Sequence, residues 1–399
     1  MKKLISILVA FAMMAMLSIT AFAAEPTDPD KANLVKYLEV AEGVSVPDVT
    51  FTFTFAPNEE ASSIVSAQEL ADANPGTQDI RFDSGFKATA ADDGASVYKA
   101  DTLKSLPAGT FTKAGVYAYT VTETGYAFNG TADSTKTIVQ NPDNKSYIVR
   151  YVVKNVNGEP TVTGVTVQEP GPNGAKVDPT TEDPTKNDDP TTTTTVEYDG
   201  FSFRNTYQKT EGDGTLANAP LKVSKAIAGD TTAAPDADFP FSITLTQAYG
   251  APATAPTAQV YEGTTPVGDP ITVTYGTAKD FTLKAGQTLA FLTLPAGTSY
   301  AVSENLTGEE DFAAFAPSYA VNTTEATGSA DYGVDLATST LRVNEADKDL
   351  VAYTNTYDED IDTPTGILMN NLPYIVLALV AIGGLVAYVV VRRRQSDEA

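Results

Sequence analysis

The chain contains no cysteine and no histidine in 399 residues. Without cysteine, no disulfide can brace it and no thiol can act. Together the two absences remove the commonest nucleophile–base pairs and the commonest metal ligands, so no cofactor, metal site or enzymatic activity is expected. Positive charge is also scarce. Lys and Arg number 26 against 51 Asp and Glu, for a formal net charge of −25. Nucleic acid binding needs a basic face, which sets that partner class aside. The acidic balance most simply keeps an exposed protein soluble. Acidic clusters such as Asp358-Glu359-Asp360 lack EF-hand-like spacing and read as solvated linker.

Long apolar runs occur only near the two ends. Lys2 and Lys3 precede the run from Leu4 to Thr20, which is followed by Ala21-Phe22-Ala23-Ala24 and then polar sequence. A positive start, an apolar core and an Ala-x-Ala site predict a secretory signal peptide over 1–23. The second run, Leu372 to Val391, is about 20 residues without a charge, enough for a helix to cross a bilayer. Arg392-Arg393-Arg394 follows it at once, the pattern of a stop-transfer segment with the bulk of the chain outside. An extracellular protein with a membrane-inserted precursor is therefore expected.

Between these runs the sequence reads as all-β. Thr50 to Phe55, Val116 to Val121 and Tyr147 to Val153 alternate, as do shorter segments after Phe239. Short alternating strands between Gly, Pro, Asp and Asn turns predict β-sandwich domains of the immunoglobulin-like kind. One helical patch is expected around Ser63 to Ala73.

The plan is stated twice. Pro107-Ala108-Gly109-Thr110 leads to Tyr119-Thr120-Val121-Thr122-Glu123, and Pro295-Ala296-Gly297-Thr298 leads to Tyr300-Ala301-Val302-Ser303-Glu304. Each is preceded by a Lys-bearing strand and followed by an x-Asn-x-Tyr strand. Two domains are expected, 25–210 and 219–358. The Pro/Thr/Asp-rich stretch 169–195 cannot fill a core and reads as an exposed loop of the first.

Residues two apart in a strand share a face. Lys36 then shares its face with Leu34 and Leu38, Glu123 with Tyr119 and Val121, and Asn205 with Phe203 and Tyr207. The second domain repeats this with Lys225, Glu304 and Asn355, while Lys222 takes the opposite face and should be exposed. Three polar side chains per core need partners. One reading is a hydrogen-bonded ion pair beside an amide, which often fails to recover its own desolvation cost. The other is a spontaneous Lys–Asn isopeptide bond, with Glu shuttling protons and ammonia leaving. Burial favours the neutral amine and the protonated acid that this reaction needs.

Two resemblances follow from these residues. Asp362-Thr363-Pro364-Thr365-Gly366, the apolar span and the terminal arginines together resemble the sorting signal of sortase substrates, although no residue separates Pro364 from Thr365 as in the usual Leu-Pro-x-Thr-Gly form. The x-x-Pro-Thr-Gly form is similar to that of streptococcal backbone pilins of the T-antigen type. The Lys, Tyr-x-Val-x-Glu and Phe/Tyr-x-Asn-x-Tyr strands resemble those of CnaB-like isopeptide domains in Gram-positive pilins. The resemblance implies that Thr365 is cut from Gly366 by a sortase and passed to an amine, and that 367–399 is released. It further implies a head-to-tail polymer of pilin subunits anchored to peptidoglycan, with internal bonds tying first strand to last. No motif with a Tyr-Pro-Lys core is present, and Lys154, Lys176 and Lys186 are the candidate acceptors. A wall-anchored adhesin or minor pilin is the alternative reading.

Overall fold

A computed structural model describes residues 32–92, 94–101, 111–131, 133–140, 145–171, 174–177, 200–345 and 348–359. The expected signal peptide, Thr365 and Gly366, the span and tail 367–399, Pro107 to Thr110, Lys186 and most of 169–195 lie outside them. The regular secondary structure of the described chain is almost entirely strand. The chain divides into two compact units, 32–40 with 45–207 and 41–44 with 208–359.

In the first unit, one sheet places β1 (Val35–Ala41) between β11 (Ser202–Glu211) and β5 (Ala95–Asp101). β4 (Ala90–Asp92) lies beyond β5, and β7 (Lys136–Gln140) also pairs with β11. The second sheet runs β10 (Lys176–Val177), β9 (Glu159–Gln168), β8 (Ser146–Val156), β6 (Gly115–Phe128), β2 (Val49–Pro57), β3 (Thr77–Phe82). On β2 the residues Val49, Phe51, Phe53 and Phe55 are buried and the threonines between them are half-buried, as period-two alternation requires. Rings from the two sheets meet in the core, with Phe53 4.9 Å and Tyr147 5.3 Å from Phe203 between centroids.

In the second unit, the larger sheet runs β15 (Thr265–Thr272), β14 (Thr257–Glu262), β17 (Gln287–Phe291), β12 (Leu221–Gly229), β24 (Asp349–Tyr357), β20 (Phe315–Val321), β21 (Ala326–Ser329). The facing sheet runs β16 (Lys279–Leu283), β13 (Phe239–Thr246), β19 (Ser299–Glu304), β22 (Leu336–Ala337), with β23 (Leu341–Arg342) also on β19. The short β18 (Leu294–Pro295) completes the unit. Leu221 and Val223 from one sheet and Phe239, Phe241, Ile243 and Leu245 from the other fill a single core.

The feature that positions the polar residues is common to both units. The first strand pairs in parallel with the last, β1 with β11 and β12 with β24. Parallel neighbours need a long connection, and here the rest of each unit supplies it. Gly229 closes the β12 ladder at φ 83, and a Cβ there would strike the Tyr357 carbonyl oxygen.

Two local expectations are corrected. The helix α1 is short (Ala67–Asp72), capped by Ser66 and Glu69 in a capping box, because Ser63 instead bridges to Val116 as β structure. β1, unlike β2, is buried on both faces: all seven residues are covered, since Val35 and Tyr37 on its outer face pack with Val97. Lys222 is half-buried rather than exposed, because β12 is an interior strand flanked by Ala290 and Leu350 at that position.

Candidate functional site

Each unit brings one Lys, one Glu and one Asn together inside its core. In the first unit the Lys36 Nζ donates to Glu123 Oε2 and to Asn205 Oδ1, both at 2.6 Å. Asn205 Nδ2 donates to Glu123 Oε1 at 2.6 Å, which closes a triangle of hydrogen bonds. In the second unit Lys225 Nζ lies 2.7 Å from Glu304 Oε1, and Asn355 Nδ2 donates to the same oxygen at 2.8 Å.

Strand register explains how both clusters arise. Lys36 is level with Phe203, two residues before Asn205. Lys225 is level with Tyr353, two residues before Asn355. The same offset on one face of a parallel ladder leaves a diagonal that a four-carbon lysine stem can span. The carboxylate comes from the opposite sheet, where Glu123 pairs with Phe53 and Glu304 with Phe241.

Each amine is floored by an aromatic ring. Lys36 Nζ sits 4.2 Å from the Phe51 centroid, and Lys225 Nζ 4.2 Å from that of Phe239. These rings occupy matching positions, two residues before the Phe that pairs with the Glu. Sequence reasoning missed them as site residues, although Phe51-x-Phe53 and Phe239-x-Phe241 repeat. An inward Phe in a strand looks like any other core residue.

Burial dominates the electrostatics. It drops the Lys36 amine from its ordinary value to about 8, against the opposing pull of Glu123. It drops Lys225 likewise to about 8, against Glu304. Burial also raises the Glu304 carboxyl, against the opposing effects of Lys225 and Asn355. The two partners of the second cluster thus both move toward their neutral forms.

The clusters are not identical. The Glu304 side chain is fully buried, whereas that of Glu123 keeps 9% of its surface. β6 runs on past Glu123 through a bulge, while β19 ends at Glu304. In the second cluster Glu304 Oε2 and Asn355 Oδ1 are buried without a hydrogen bond. A buried polar atom left unpaired costs roughly 1–3 kcal/mol. The second cluster is therefore strained as a set of separate side chains.

A third Lys–Asn–carboxylate cluster lies at the surface of the second unit. Lys348 Nζ donates to Asn218 Oδ1 at 2.5 Å, and Asn218 Nδ2 donates to Asp213 Oδ2 at 2.6 Å. The Lys–Asn and Asn–carboxylate bonds match those of the first cluster, but Lys348 gives its other bond to the Ala217 carbonyl rather than to the carboxylate, and Lys348 and Asp213 are exposed. Hydrogen bonds hold the Asp213 carboxyl below its ordinary range, so it stays ionised. Exposure to water, and a carboxylate bonded to the asparagine rather than to the lysine, separate this cluster from the other two.

Of the candidate acceptor lysines, Lys154 is exposed on β8 and Lys176 is exposed on β10, at one edge of its sheet. Among the described residues, no group of acidic side chains is arranged to hold a metal ion.

Comparison with known proteins gives three results. A family model described as a domain of unknown function (DUF7601) matches residues 219–357. Over 110 residues the chain is 32% identical to a pilin of Streptococcus pyogenes serotype M1, a stretch covering 27% of this chain and 30% of that protein. Among solved structures, the major pilin of Streptococcus pyogenes is 19% identical, with 82% of this chain and 98% of that one covered and a TM-score of 0.31. An adhesin of Mobiluncus mulieris described as carrying disulfide, isopeptide and ester cross-links is 12% identical, with 82% and 100% covered and a TM-score of 0.26.

Proposed function

We propose that the chain is a structural subunit of a covalently polymerised surface pilus. Its two units are locked by self-formed Lys36–Asn205 and Lys225–Asn355 isopeptide bonds. It is exported, and a sortase joins Thr365 to a lysine of the next subunit or to peptidoglycan with loss of the chain from Gly366 onward. The observation that carries this reading is the repeated cluster: the same three residue types, at the same two-residue offset, between first and last strand in both units. The stretch of identity with a streptococcal pilin supports it.

The chemistry balances within each cluster. The neutral Lys Nζ attacks the Asn Cγ, so an N–C bond forms as the Cγ–Nδ2 bond breaks. The Glu carboxyl takes a proton from the attacking amine and delivers one to the departing Nδ2. Ammonia leaves, and an uncharged amide replaces a buried ion pair. That product removes the desolvation cost that such a pair carries. Force applied along the chain then runs through the new bond from first strand to last, and the strands between cannot unzip.

The decisive experiment for polymerisation is an immunoblot of surface extracts boiled in SDS. A ladder of high-mass species is expected. A single monomer band overturns the shaft-subunit reading in favour of a wall-anchored adhesin.

A further inference from the structure

The reverse face of the β1–β11 ladder carries a charge pair that the second unit lacks. Glu39 follows Lys36 by three residues, so the two side chains leave β1 on opposite faces. Glu39 is only 2% exposed. Arg204 Nη1 donates to its Oε1 at 3.3 Å and Thr206 Oγ1 to its Oε2 at 2.9 Å. Arg204 and Thr206 flank Asn205 on β11, and Thr206 is level with Glu39. The matching positions of the second unit are Ala228, Thr354 and Thr356, none of them charged.

A buried carboxylate is not neutral toward an amine on the other side of the same strand. Through protein of low dielectric, charges act over several ångströms with little screening. Lys36 is faced by Glu123 from β6, the Asn205 amide from β11 and the Phe51 ring from β2. Glu39 is a second carboxylate acting on it, and like Glu123 it favours the ammonium form. That form has no lone pair with which to attack. The Arg204 guanidinium is set directly against the Glu39 carboxylate and opposes its field.

We infer that Glu39 and Arg204 are positioning residues that set the pH at which the first crosslink forms, Glu39 holding Lys36 as ammonium and Arg204 cancelling that hold. The inference rests on the isopeptide reading above. It makes the first crosslink tunable by a charge pair that never touches the reacting atoms, and leaves the second crosslink without such control.

The test uses the full chain, recovered from inclusion bodies and kept in urea, with its intact mass certifying that no ammonia has yet been lost. It is diluted into buffers from acid to alkaline pH, and ammonia loss is followed with time for each cluster by peptide mass spectrometry. Arg204→Gln is expected to move the midpoint of the first cluster's rate profile to higher pH by roughly half a unit or more. Glu39→Gln, which removes the second carboxylate acting on Lys36, is expected to move it to lower pH. Arg204→Lys and the double variant Glu39→Gln/Arg204→Gln should lie close to the parent. The second cluster should be unchanged in all four and serves as the control within each molecule. A merely structural clamp predicts that both single variants slow the reaction at every pH with no opposed shift, and that result overturns the inference. Should Arg204→Gln not refold, the acid shift of Glu39→Gln decides alone. If the parent chain loses no ammonia at either cluster, the isopeptide reading itself is wrong. If it loses both and the profiles do not move, only the charge control is wrong.

Discussion

Lys36 and Asn205 stand 169 residues apart in sequence and 2.6 Å apart in space, on parallel neighbouring strands of one sheet. Lys225 and Asn355 repeat the register, again between the first and last strands of a unit, and meet at Glu304. A bond across either pair would close nearly the whole unit into one loop. Two variables then decide which lysines react: register, which supplies the contact, and burial, which supplies the neutral amine.

The exposed cluster of Lys348, Asn218 and Asp213 separates those variables. It has the lysine–asparagine contact without the burial, and its carboxylate remains charged. The purified ectodomain is therefore expected to weigh two ammonia less than its sequence. Intact-mass measurement checks this. A third ammonia lost from Asn218 would show that contact alone suffices, and the full sequence mass would sink the isopeptide assignment.

Glu304→Gln keeps the shape of the second cluster but cannot shuttle protons. That variant is expected to retain one ammonia, localised to the peptides carrying Lys225 and Asn355. A crosslink closing a loop of this size is worth about 5 kcal/mol in the chain-entropy model. For a unit of this size, a loss of that order lowers the melting temperature by roughly 10–20 °C. Calorimetry should show the second unit's transition fall by that margin while the first stays in place.

The uncrosslinked variant also acquires a pH dependence that the parent lacks. Burial holds Lys225 at about 8 against the opposing pull of Glu304, whereas an unfolded lysine titrates near 10.5. Removing the carboxylate pushes the folded value lower still. Between the two values the unfolded chain binds more protons than the folded one, so stability rises with pH across that window. In Glu304→Gln the denaturation midpoint of the second unit should climb from neutral to alkaline pH. In the parent the amide does not titrate, so no lysine-driven rise should appear there. A flat profile in the variant would mean that Lys225 has reached solvent.

Much of this arrangement is legible in the sequence for a physical reason. A lysine, glutamate or asparagine on the inward face of an alternating strand is out of place, and period two identifies that face without a structure. Parallel pairing of first and last strand is not legible in the same way. It joins residues more than a hundred apart, and nothing local records a two-residue offset. Phe51 and Phe239 are hidden for the opposite reason, because their place is ordinary for an aromatic. Glu39 was concealed by β1 itself. Its seven residues are buried on both faces, so alternation loses its meaning there and a second buried carboxylate goes unnoticed.

The ring floors yield a prediction of their own. Phe51→Ala and Phe239→Ala each open a cavity beside the amine, at a stability cost of about 3–5 kcal/mol. A cavity lined by an amine and a carboxylate has polar partners for water, which restores solvation to the ammonium. Each variant should show slow or incomplete ammonia loss in its own unit and normal loss in the other. Phe→Leu at the same positions stays apolar and should crosslink nearly to completion. Equal loss in the Ala and Leu variants would show that the ring only packs and does not tune the amine.

The joint between subunits needs an acceptor amine as well as Thr365. A lysine that accepts an acyl group must be reachable by an enzyme, and Lys154 and Lys176 are both exposed on one sheet, on the strands either side of β9. Lys186 follows in the Pro/Thr-rich stretch. Arginine at the acceptor keeps the charge but removes the nucleophile. The triple variant Lys154→Arg/Lys176→Arg/Lys186→Arg is therefore expected to fold, to lose its two ammonia and to be anchored as a monomer, with no ladder on an SDS gel. Restoring one lysine at a time should bring the ladder back for a single position and leave it absent for the other two. A ladder that survives in the triple variant would place the acceptor elsewhere, and the exposed Lys87, Lys145 and Lys279 would be the next positions to test.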